Sequence, residues 1–121
     1  MDTLLLLELI DNLTGALSQL EKAKDDTLAT LDAIDAVNEA LIALGGQPVE
    51  SIVTDYTALL KQIVNDEINI FEAKEKFKDL ELAVNALSAE NIDEDTKTLI
   101  IEALQNATRQ IAGANNYTVL D

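Results

Sequence analysis

Ala43-Leu44-Gly45-Gly46-Gln47-Pro48-Val49-Glu50 is the one stretch of the 121-residue chain in which glycine and proline occur together. Paired glycines end a helix because a residue without a Cβ adopts the left-handed conformation cheaply, and proline suits the first turn of the helix that follows. The sequence on both sides is apolar at intervals of three and four. Upstream the stripe reads Leu6, Leu9, Ile10, Leu13, Leu17 and Leu20, and resumes as Leu28, Leu31, Ile34, Val37, Leu41 and Leu44. Downstream it reads Ile52, Tyr56, Leu59, Leu60 and Ile63. Helical periodicity on either side of a tight break predicts antiparallel helices and hence an all-α, elongated antiparallel bundle.

Within residues 1–46 the weak point is Lys22 to Thr27. There Lys24 and Thr27 replace apolar residues, and Asp25-Asp26 offers a new helix cap. A kink or a short loop fits that place, but with no Gly, Pro or Asn in it one long first helix is expected over a hairpin. Three shorter helices follow. The second runs from Pro48 to about Asn65. The third opens at Asn69, with Glu72 three residues on as in a capping box and Ile68 as a hydrophobic staple. It carries Ile70, Ala73, Phe77, Leu80, Val84 and Leu87 inward. The fourth starts after Ser88 to Asp93, buries Ile100, Leu104, Ala107 and Ile111, and is expected to stop at Gly113. The bundle domain is therefore 1–113, with 114–121 an irregular or extended tail.

Composition narrows function mainly by exclusion. There is no His and no Cys, which removes Ser-His and Cys-His nucleophiles, the usual zinc sites, disulfides and thiol redox chemistry. Twenty-three acidic side chains against eight Lys and Arg give a net charge of −15, so direct binding to nucleic acid, which needs clustered cations, is excluded. With no glycine-rich phosphate loop and no arranged nucleophile, the chain reads as a non-enzyme without cofactor or metal. The closest approach to a metal motif is Asn91 to Glu102, which puts Asn, Asp, Asp and Glu at positions one, three, five and twelve of a calcium loop. Thr96 then stands where the loop's sharp turn demands glycine, so Asp93, Glu94 and Asp95 read instead as the acidic first turn of the last helix.

Two surfaces stand out. Leu4-Leu5-Leu6-Leu7 wraps the whole circumference of the first turn in apolar side chains, and Leu4, Leu5 and Leu7 are the expected partner contacts there. Ala29, Ala33, Ala36, Ala40 and Ala43 form a smooth small-residue strip. It suits either a helix held among three neighbours of its own bundle or one that another chain packs against closely. Tyr117, in the tail, is the remaining candidate contact. These surfaces suggest a structural subunit or assembly adaptor, a homo-oligomer or part of a larger complex such as a virion. The opening Leu-rich segment is interrupted by Glu8 and Asp11 and has no basic start, so neither a signal peptide nor membrane insertion is expected, and the location would be cytoplasmic or virion-associated. Two alternatives carry the same charge: an acidic decoy for a nucleic-acid-binding protein, using ridges such as Glu21, Asp25, Asp32, Asp35 and Glu39, and a small helical chaperone.

Overall fold

The computed structural model of the chain describes residues 2–23 and 25–114. They form five helices: α1 (Thr3–Lys22), α2 (Thr27–Gly45), α3 (Gln47–Val64), α4 (Ile70–Asn85) and α5 (Glu94–Ala114). The expected all-α antiparallel bundle is what forms. Residues 3–45, however, make two helices folded back on each other rather than one helix with a kink. Two local bonds make that break without glycine or proline. The Asp26 carboxylate accepts from the Ala29 N–H at 3.2 Å and caps α2. The Thr30 hydroxyl donates to the Ala23 carbonyl at 2.6 Å and closes the loop. One member of the expected inward stripe is displaced by this turn: Leu28 is 75% exposed in the first turn of α2.

Cross-helix bonds fix the register. Between α2 and α3, Thr57 meets Asn38 at 3.0 Å and Lys61 pairs with Asp35, so one index rises as the other falls. The single Thr57 hydroxyl hydrogen also faces the Thr54 carbonyl at 3.0 Å. Both contacts are satisfied when Thr57 donates to the carbonyl and the Asn38 amide turns its NH2 to Thr57. Between α4 and α5, Gln105 Nε2 donates to Glu81 at 2.9 Å and Lys97 Nζ to the Leu87 carbonyl at 2.7 Å, again antiparallel. Helices α1 to α4 thus follow one another as neighbours, and α5 touches all four. The buried side chains form one core, centred on Ile34, Val37 and Leu41 of α2, Val53, Tyr56, Leu60 and Ile63 of α3, Phe77 of α4, and Ile100 and Leu104 of α5.

The joint between α2 and α3 is a single residue. Gly46, at φ 70° and ψ −160°, ends α2 by donating its N–H to the Ile42 carbonyl at 2.6 Å, and α3 starts at once with Pro48 in its first turn. That backbone region is almost closed to residues with a Cβ. Its neighbour Gly45 is constrained by space instead: a Cβ there would collide with the Val49 side chain and come within 2.9 Å of Ile100 Cδ1. At the other end of α3, Asp66 takes the left-handed conformation (φ 57°). The Glu67 N–H then reaches the Gln62 carbonyl and the Asp66 N–H the Ile63 carbonyl, a Schellman motif with Asp in glycine's place. Asn69 caps α4 as expected, accepting from the Glu72 N–H at 2.9 Å; Glu72 returns to the Asn69 side-chain amide, not to its backbone. Ile68 is buried, as a staple requires. At the C-terminal end α5 runs through Gly113 to Ala114, because one helical glycine costs only about 1 kcal/mol. The tail expected over 114–121 falls, except for Ala114, outside the described residues.

Gly46→Ala should lower the unfolding free energy by about 1–3 kcal/mol through its backbone conformation, read as a lower urea midpoint at unchanged slope; an unshifted midpoint would show that the joint relaxes. For Tyr56, packing and hydroxyl have opposite signs. Its ring lies edge-on to Phe77 at 4.9 Å between centroids, while its fully buried hydroxyl has no hydrogen-bond partner among the described residues. Burial, and secondarily the charge of Glu81, push the hydroxyl's pKa far up, so it stays neutral. Tyr56→Phe should therefore unfold at the same urea concentration or higher, whereas Tyr56→Ala should cost about 3–5 kcal/mol. A Phe variant clearly weaker than the parent would mean the hydroxyl is satisfied.

Candidate interaction surface

The register sorts the molecule into two ends. At one lie the start of α1, the α2–α3 joint, the end of α4 and the start of α5, a grouping tied together by Ile100 against Gly45 and Lys97 against Leu87. At the other lie the α1–α2 and α3–α4 turns and the end of α5. The first end carries the leucines. Leu4 is 75% exposed, Leu7 55% and Leu5 46%, while Leu6, Leu9 and Ile10 lean on the core. Asp2 caps α1 by accepting from the Leu4 N–H at 3.2 Å, so the leucines stand on a formed helical turn. Helix α5 reaches α1, yet the helix start has protein on one side only, which is why a turn that is apolar all round leaves three large side chains in water.

The alanine strip has a different fate. Helix α2 lies among α1, α3 and α5. Ala33 and Ala40 are buried, Ala29 and Ala36 half-buried, and only Ala43 is exposed. Ala36, Ala40 and Ala43 line one side of an open groove of about 480 Å³ whose other wall includes Asn12, Gly15 and Ala16 of α1. Ala16 on α1 and Ala33 and Ala40 on α2 are buried in the shared core of the hairpin. Most of the strip thus serves the hairpin inside the chain, and the acids Asp32, Asp35 and Glu39 occupy what polar arc α2 has left. Tyr117 lies outside the described residues. Leu82 (61% exposed) near the end of α4 and Phe71 (78%) at its start are exposed apolar groups that the sequence reading missed. Phe71 lies one residue past the inward stripe position Ile70, and Leu82 two past Leu80, so helical spacing could have flagged both.

The Asn91 to Glu102 segment is a helix start. The Asp93 carboxylate accepts from the Thr96 N–H at 2.8 Å, and its carbonyl takes the Lys97 N–H at 3.0 Å. Among the described residues, no group of three or more metal-binding side chains converges. Lys97 was not foreseen as buried. Its ammonium, 6% exposed, donates to the Leu87 carbonyl and lies 3.0 Å from Glu94. A cation there joins a carbonyl just past the end of α4 to the acidic first turn of α5, fastening the one connection longer than five residues. No helix of the described residues is long and apolar enough to cross a membrane. No protein-family model, no curated protein and no solved structure matches the chain.

The Asp93 cap makes a pH prediction. Hydrogen bonds from Thr96, the backbone N–H first, hold the carboxyl below its ordinary pKa of 3.8. A folded-state pKa below the unfolded one means stability that is fully present above about pH 5 and is lost as pH falls through the folded value. Asp93→Ala should accordingly lower the melting temperature at pH 7, with the gap to the parent closing towards pH 2–3. A gap of constant size across that range would assign the loss to helix propensity instead.

Proposed function

We propose that the protein is a non-enzymatic assembly subunit or adaptor, a rigid helical module that docks to other proteins by its leucine end. The carrying observation is the exposure of Leu4, Leu5 and Leu7 together on a capped helix turn. Covering one such side chain is worth about 1.5–3 kcal/mol. A chain that leaves three of them in water while burying Leu13 and Leu20 of the same helix has an apolar surface beyond what its own core uses. The strong negative charge keeps such a surface soluble and discourages its unregulated self-association.

Light scattering in about 500 mM NaCl, where repulsion between copies is screened, tests the stickiness of this end. The purified chain should show a mass that rises with concentration above the 13.1 kDa monomer. The Leu4→Ser, Leu5→Ser, Leu7→Ser variant should stay monomeric with its helical circular dichroism intact. A parent chain that remains monomeric at high salt, or a serine variant that associates equally, would overturn the reading.

A further inference from the structure

We infer, building on the docking role proposed above, that the occupant of the leucine end is a cationic amphipathic helix of another protein, seated by its apolar stripe on Leu4, Leu5 and Leu7 and held at its flanks by carboxylates. In the two helical turns nearest this end, the sole cation among the described residues is Lys97, and it is buried against Glu94. The remaining cations lie elsewhere: Lys22 closes α1, Lys61 closes α3, Lys74, Lys76 and Lys78 occupy the first half and middle of α4, and Arg109 is in the distal half of α5. By contrast Asp2, Glu8, Glu50, Glu90 and Asp95 are all exposed at the leucine end. An apolar turn at an end of the bundle whose exposed charged side chains are all carboxylates among the described residues is the electrostatic complement of leucines bordered by Lys or Arg.

Other occupants fit less well. A second copy offers the same carboxylates to this end and brings a further charge of −15. An anionic lipid surface meets the same repulsion. A neutral apolar helix covers the leucines but gains nothing from the exposed carboxylates of the same end.

The test uses the full chain and two labelled helical peptides of about 18 residues. Both repeat Leu at intervals of three and four, with Lys at every other position in one and Glu in the other, and binding is read by fluorescence anisotropy. The Lys peptide should bind, weakening about tenfold between about 50 and 500 mM NaCl, and the Glu peptide should not. Leu4→Ser, Leu5→Ser, Leu7→Ser should lose about tenfold or more at every salt concentration. Glu8→Gln, Glu50→Gln, Glu90→Gln, Asp95→Asn should flatten the salt dependence. Neutralising as many acids at the far end, Glu21→Gln, Asp25→Asn, Glu67→Gln, Glu75→Gln, should leave binding as it was. Equal weakening by the two sets of neutralised acids, or full binding by the serine variant, would make the attraction a diffuse property of a polyanion and overturn the inference. Leucine-dependent self-association in a chain that ignores the Lys peptide would overturn the partner's chemistry and leave the docking role standing. Loss of both responses would remove the two together.

Discussion

The close approach of three helices at Gly45 governs this structure. There the end of α2, the first turns of α3 and the second turn of α5 converge, and Val49 and Ile100 occupy the space a side chain would need. Gly46 then reverses the chain with a single residue. A longer or looser joint would let α3 splay from α2, and the pairs that set their register, Asn38 with Thr57 and Asp35 with Lys61, would part. Because α5 is positioned by the same contact, the seating of Ile100 also determines where the α4–α5 loop and Lys97 come to rest.

What the residues disclosed, and what they concealed, follows from how each helix is terminated. Gly46 with Pro48, Asn69 with Glu72, and Asp93 are local devices whose chemistry acts within four residues, and each ends or starts a helix where its side chain or missing side chain requires. The α1–α2 turn has such a device on one side only, the Asp26 cap of α2. Its Ala23 end is closed by Thr30, seven residues later, and the reversal is secured by Leu13, Ala16 and Leu20 of α1, buried in one cluster with Ala33, Val37 and Ala40 of α2. That is packing between segments some twenty residues apart, which periodicity along one segment does not report. The same holds for Asp66, which takes a left-handed conformation that sequence would assign to glycine.

The candidate surface divides in the same way. A run of four leucines announces its own exposure, since no small bundle surrounds the end of a helix on every side. The alanine strip announced only that something packs closely, and the two readings it allowed, a neighbour in the chain or a neighbour outside it, differ solely in tertiary arrangement. The structure supplies the first for most of the strip. It also turns the net charge into a distribution: among the described residues the leucine end carries exposed carboxylates while its one cation, Lys97, is buried, a polarity that emerges once antiparallel packing brings Asp2, Glu50 and Asp95 to one side.

Helices α1 to α4 touch mainly their sequence neighbours, an arrangement that on its own resembles a linear repeat array, in which each interface can open without the rest. Helix α5 changes that by lying against all four. It links the separate interfaces into a closed set, so that loosening any one of them strains the others. Stability is thereby shared over the whole domain, and the bundle has the connectivity of a unit that unfolds in a single cooperative step. For a part that presents an apolar end to water, such connectivity has a direct use: the helix that carries the leucines is held by both α2 and α5.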